Sequence, residues 1–147
     1  MEAFFGPVRS DDNFNEIKKA IEDKKTPVNV WGITRGARPL IMEALRGDSK
    51  FAVLVTYDDS RAEKLYSDYR FYDKNVYIYP AKDALFYYAD VHGNATTQRR
   101  LEIIRRLNEK KDTVIITTVD GLMDKMPRME EITGGGMSFT VGEEINI

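Results

Sequence analysis

The chain has 147 residues, 42% of them hydrophobic and 31% charged, with 22 Lys and Arg against 24 Asp and Glu. That length fits one domain with a buried core, and the near-even charge gives the whole molecule no pull toward nucleic acid, which only a local patch could supply. With no cysteine and one histidine, His92, the chain has no disulfide, no Cys-ligated zinc, no thiol chemistry and too few imidazoles for a His-rich metal centre.

No stretch reaches transmembrane length, and the first residues lack the basic region and apolar run of a secretory signal, so the cytoplasm is the expected compartment. Residues 13–25 carry Phe14, Ile17 and Ile21 at helical spacing, with Asp12 or Asn13 as cap and Pro27 as stop. Val28 to Ile33 reads as a first strand. It runs into a glycine turn, and a helix leaves that turn toward Arg46, ending near Gly47. Phe51 to Tyr57 is a continuous apolar run, the sign of a strand buried on both faces. Ser60-Arg61-Ala62-Glu63 reads as a capping box for a helix that turns Ala62, Leu65, Tyr66 and Tyr69 inward.

Val76 to Tyr79 is a third strand, closed by Pro80, and residues 81–93 are irregular and aromatic, with Leu85, Phe86, Tyr87 and Tyr88. Asn94 to Lys110 is a helix with Leu101, Ile104 and Leu107 on its apolar side and Arg99, Arg100, Arg105 and Arg106 mostly outside. Thr113 to Thr118 is a fourth buried strand, followed by a short helix through Met126 that Pro127 stops. Strands alternating with helices predict an α/β fold, a parallel sheet flanked by helices on both faces. After Gly134-Gly135-Gly136, the residues Met137, Phe139 and Val141 alternate with polar ones as in a half-buried strand. The expected division is a domain over 1–133, then 134–147 as a linker and the first strand of a truncated following domain.

The turn after the first strand has the layout of a phosphate-binding loop: strand, glycine turn, helix N-terminus. Against G-x-x-x-x-G-K-[ST], Gly32 fills the first glycine position. Ala37 then stands at the second glycine, Arg38 at the lysine and Pro39 at the Ser/Thr. Ala37 adds a Cβ where backbone approaches phosphate closely, and Arg38 replaces a compact ammonium with a broad planar fork. Pro39 has neither a hydroxyl for Mg²⁺ nor an N–H for phosphate, although it suits the first turn of a helix. It also biases Arg38 away from the α region. Gly32, Thr34, Arg35, Gly36, Ala37, Arg38 and Pro39 thus form a degenerate nucleotide loop in a P-loop NTPase-like fold, with no cofactor, metal or catalytic residue expected. The plain alternative is a tight strand-to-helix turn.

Val53 to Asp59 imitates a strand ending in Mg²⁺-binding acids. Because its partner loop is defective, Asp58 and Asp59 read as helix starters, where acids suit the positive dipole end. Arg35 and Arg38 with Arg99, Arg100, Arg105 and Arg106 are a candidate basic face for DNA or for another domain, and Tyr87 and Tyr88 could stack on bases. Glu102 and Glu109, interleaved with those arginines, favour an ordinary solvated helix face. His92, beside Gly93-Asn94, reads as a loop residue before a helix cap, without the orienting acid and nucleophile that catalysis needs.

In their order and spacing, four stretches resemble the N-terminal region of the bacterial transcription-repair coupling factor and, more distantly, the damage-recognition B protein of the bacterial excinuclease. Gly32-Ile33-Thr34-Arg35-Gly36-Ala37-Arg38-Pro39 sits where the excinuclease B protein has an intact loop and the coupling factor a degenerate one. Asp83-Ala84-Leu85-Phe86-Tyr87 is similar to the coupling factor's acid-x-leucine-proline-tyrosine segment, with Phe86 in place of the proline. Gln98-Arg99-Arg100-Leu101 and Ile116 through Met123 match the next helix and the strand-turn-helix after it. Phe139-Thr140-Val141-Gly142 resembles the opening of the domain that binds the excinuclease A protein. The B protein carries a tyrosine-rich hairpin between its aromatic segment and the next helix, and the few residues from Tyr88 to Asn94 leave no room for one.

The resemblance implies a non-catalytic scaffold or interaction domain of a DNA translocase that displaces stalled RNA polymerase and recruits nucleotide excision repair. Its partners are then the other domains of the same protein, with DNA at most a weak one. RNA polymerase and the excinuclease A protein would be met through regions outside this chain, and no membrane is involved. The alternatives are a functional nucleotide-binding ATPase domain and a weak DNA-binding module.

Overall fold

Three runs rich in β-branched and aromatic residues build the sheet: β1 (Phe51–Thr56), β2 (Val76–Tyr79) and β3 (Thr113–Thr118). The computed structural model describes residues 2–81 and 93–125. All strands are parallel, in the order β1-β3-β2, with Val53 beside Ile115 and Tyr77 also beside Ile115. The helices are α1 (Glu2–Arg9), α2 (Asp12–Glu22), α3 (Arg38–Arg46), α4 (Asp59–Tyr69), α5 (Gly93–Asn108) and the short α6 (Val119–Met123). Among the described residues no helix is long and apolar enough to cross a membrane.

Alternation along β3 divides the core in two. Val114 and Ile116 meet Ala62 and Tyr69 of α4 on one face, with Val76, Ala52 and Leu54 beside them. Ile115 meets Ile103 and Ile104 of α5 on the other, together with Tyr77 and Tyr79. Parallel strands joined by right-handed crossovers place successive helices on opposite faces when the second connection runs back across the sheet, as it does here. A third cluster, Phe5, Phe14 and Ala44 with Leu40, Ile41 and Tyr72, holds α1 and α2 against α3.

The caps agree with the acids expected to start helices, but not at every expected position. Asp11, rather than Asp12 or Asn13, caps α2 by accepting the Phe14 N–H at 3.0 Å, and the helix ends at Glu22 instead of reaching residue 25. Asp58 caps α4, accepting the Arg61 N–H at 2.7 Å, so Ser60 lies within the helix and the capping box there does not form. A carboxylate at the positive helix end outcompetes a neutral hydroxyl two residues later. Helix α1 has no expected counterpart; it includes Pro7 and survives by burying Phe5.

Larger corrections concern the strands. Val28 to Ile33, expected as the first strand, pairs with no strand among the described residues, and its Val30 and Trp31 are exposed. β-branched content reports fitness for a half-buried surface, and here that surface is given by α2 and the start of α3. The strand expected to be buried on both faces, β1, lies at the edge of the sheet among the described residues, and its Phe51, Val53 and Val55 are exposed. On α5 the inward positions are 100, 103, 104 and 107, so Ile103 is buried where Leu101 was expected. Residues 82–92, with Tyr87, Tyr88 and His92, and residues 126–147, with the glycine linker and tail strand, lie outside the described residues.

Candidate functional site

The loop from Gly32 to Pro39 forms a strandless turn into α3. Gly32 holds φ +80°, a left-handed value that favours glycine, and Thr34 precedes a 3₁₀ turn over Arg35–Ala37, closed by the Ala37 N–H donating to Thr34 O at 3.1 Å. Ala37 then caps α3 without a side-chain hydrogen bond. Arg38 sits at φ −56°, ψ −52°, in the α region that Pro39 was expected to deny it. Pro39 is fully buried in the first turn of α3, and that packing outweighs the steric bias on its predecessor.

A Cβ built on Gly32 or Gly36 would meet no protein atom within 4 Å, so neither glycine is required by close packing against the rest of the chain. Arg35 and Arg38 are both exposed. The concave surface beside the loop, about 960 Å³, runs between α2 and residues 28–34 and is lined by Phe14, Ile17, Val28 and Ile33, with Asp11 and Glu16 at its polar positions. Its lining contains no lysine or arginine to attract phosphate.

The strongest electrostatic site lies elsewhere, at the amino edge of the sheet. Arg46 ends α3 with a side chain only 8% exposed, and its guanidinium reaches three carboxylates: Glu43 at 2.6 and 2.8 Å, Asp73 at 2.7 Å and Asp112 at 2.5 Å. It also donates to Ser49 O at 3.1 Å, and Tyr69 donates its hydroxyl to Glu43 at 2.6 Å. These partners precede β1, β2 and β3 in turn, so one planar fork joins the lead-ins of all three strands. The hydrogen bonds to Glu43 raise the Arg46 guanidinium above its ordinary value despite the opposing cost of burial. Burial first, then the bond to Glu43, pushes the Tyr69 hydroxyl far above the ordinary tyrosine value of 10. Nothing in the sequence announced this cluster beyond one trace, Glu43 and Arg46 three apart on a helix. Its contacts are all internal, which suits a structural role.

The expected arginine face does not form as a unit. Arg100 is buried, donating from Nε to the Tyr79 hydroxyl at 2.9 Å and from Nη1 to Asp124 at 2.8 Å, with its guanidinium 4.5 Å from the Tyr79 ring centroid. Helical geometry turns it inward with Ile103, and a ring plus a carboxylate make burial tolerable. Arg106 lies 4.5 Å over the Tyr77 ring and donates to Asp112 O at 3.0 Å. Arg105 stays outside beside Glu109, and Arg99 is exposed at a shallow cleft that Glu102 and Glu63 also line. The hydrogen bond from Lys111 holds the Glu109 carboxyl below its ordinary range. Two of four guanidinium groups are thus committed to packing, and the remaining two stand among acids.

At the carboxyl edge, where open α/β sheets commonly receive ligands, the hydroxyls are occupied. Thr117 donates to Tyr79 O at 2.8 Å, Thr56 donates to Asp58 O at 3.1 Å, and Thr118 accepts the Gly121 N–H at 3.1 Å. Among the described residues no group of three or more His, Cys, Asp or Glu is placed to hold a metal ion. Comparison of the chain with protein-family models, with curated proteins and with solved structures finds no match.

Proposed function

We propose that this chain is a non-catalytic scaffold and interaction domain of a transcription-repair coupling factor, with a P-loop-like α/β core whose nucleotide loop has decayed. It is a cytoplasmic domain that works through contacts with other domains of the same protein. The observation that carries the reading is Pro39. At the position where a nucleotide loop needs a hydroxyl and an amide, this chain has a residue lacking both, buried in the first turn of α3. The acidic, carbon-lined groove beside the loop supports the same reading, since a polyphosphate placed there would meet Asp11 and Glu16. In the family, translocation and the contacts to RNA polymerase and the excinuclease A protein belong to other regions.

Calorimetric titration with ATP–Mg²⁺ tests this. The expected outcome is no saturable heat in the micromolar range. Saturable micromolar binding that Arg38→Ala abolishes would overturn the reading in favour of a working nucleotide site.

A further inference from the structure

The hollow between α2 and residues 28–34 is walled on one side by chain that the rest of the fold leaves unengaged. Among the described residues Val28 to Ile33 belongs to no helix or strand, and none of its peptide groups takes part in a backbone hydrogen bond. Apolar side chains line the hollow from both walls, Phe14 and Ile17 from α2 and Val28, Val30 and Ile33 from the facing segment. Trp31 lines it too and is 87% exposed, beside Val30 at 42%. Tryptophan is on average a highly buried residue, and it is among the types that most often anchor an interface. Because Val30 and Trp31 stand in solvent, the hollow is open along that wall, which suits a polypeptide better than a small molecule needing enclosure.

Charge decides which polypeptide fits. Asp11 and Glu16 are the ionisable residues of the lining, and neither forms an ion pair among the described residues. We propose that this groove docks a basic amphipathic segment of a partner domain. Its apolar side chains lie between α2 and Val28 to Ile33, its Lys or Arg residues stand against Asp11 and Glu16, and Trp31 supplies the anchor ring. The unengaged peptide groups of residues 28–33 add hydrogen-bond partners along the same wall. An acidic segment is turned away, because it sets like charges together at Asp11 and Glu16. The surface rests on the interaction-domain reading and sharpens it, whereas nucleotide titration judges that reading separately.

Trp31 is the one tryptophan of the chain, so its emission reports on the groove directly. The chain is titrated with a synthetic helix-forming peptide of Leu and Lys, free of aromatic residues, and with a copy in which every Lys is Glu. The expected result is a saturable blue shift of the emission with the Lys peptide alone, weakening as salt rises. No shift with the Lys peptide, or an equal shift with the Glu peptide, would overturn the proposal. Two variants of equal net charge then locate the site: Glu16→Lys in the lining, and Glu22→Lys on α2 outside it. Glu16→Lys should weaken binding roughly fivefold or more and Glu22→Lys about twofold or less. Equal losses would show attraction to the molecule as a whole and overturn the proposal. Val30→Lys, at an exposed lining position, should weaken binding roughly tenfold with the thermal midpoint unchanged, and undiminished binding would count against the groove. A blue shift that grows with the concentration of the chain alone would assign the groove to a second copy and likewise overturn the proposal.

Discussion

β1 and β3 lie side by side, parallel and in register from Phe51 beside Thr113 to Thr56 beside Thr118. Both are short apolar runs, yet all of β3 is buried while β1 exposes every second residue. The difference comes from position. β3 has a strand on each side and a helix on each face, so Val114, Ile115 and Ile116 all find partners. Among the described residues β1 has one neighbour and one covered face, from which Ala52 and Leu54 pack against the core. An apolar run states how much burial a strand can use; its place in the sheet sets how much it receives.

What holds β1 beside β3 at their amino ends is Arg46, so the largest effect is expected there. Arg46→Ala leaves Glu43 and Asp73 buried without their cation, and removing one partner of such a network costs about 3–5 kcal/mol. Denaturant unfolding should show it as a lower midpoint with the slope unchanged. A loss below about 1 kcal/mol would place the network among surface ion pairs, which contribute little.

The comparison of the two strands is tested directly by matched truncations. Ile116→Ala, in the centre of β3, should cost about 2–5 kcal/mol, because the cavity is enclosed by Tyr69, Val76 and Val114. Val53→Ala, on the bare face of β1, should cost about 1 kcal/mol or less, the value of a cross-strand contact. Equal costs would mean that β1 is as enclosed as β3.

A smaller effect distinguishes Tyr69 from the carboxylates it joins. Its hydroxyl titrates above its ordinary value of 10 in the folded chain, so its share of stability is complete below pH 10 and is lost as pH rises beyond that point. Tyr69→Phe removes a hydrogen bond to a carboxylate that Arg46 still satisfies, so the cost at neutral pH should be near the lower end of about 1.5–3 kcal/mol. The variant should also lose less stability than the parent on going from pH 9 to 11. Parallel alkaline curves would show that Tyr69 is not the titrating group.

The local parts of the molecule were legible. Thr113 to Thr118, Val76 to Tyr79 and the helix bearing Ala62 and Tyr69 stand where period and composition put them, because their patterns are written over consecutive residues. The candidate loop was legible in its chemistry and not in its setting. Ala37, Arg38 and Pro39 could be compared with a phosphate loop one residue at a time, but nothing local revealed that Val28 to Ile33 would run beside α2 instead of joining the sheet. Arg100 and Arg106 show the same limit. Arg99, Arg100, Arg105 and Arg106 read as mostly outside on α5, and the approach of Tyr79, Asp124 and Tyr77 made packing groups of Arg100 and Arg106.

By itself, then, the sequence determined the alternation of strands and helices, the caps' use of acidic residues and the absence of a glycine at Ala37 and of a hydroxyl at Pro39. Each depends on neighbours within a few residues, where backbone sterics and short-range hydrogen bonds decide. Tertiary structure alone decided strand order, the bare edge of β1 and the gathering of Glu43, Arg46, Asp73 and Asp112 at one end of the sheet. Those features join residues as many as 66 positions apart, and charge or apolar character at one of them carries no record of which distant partner will neutralise or cover it.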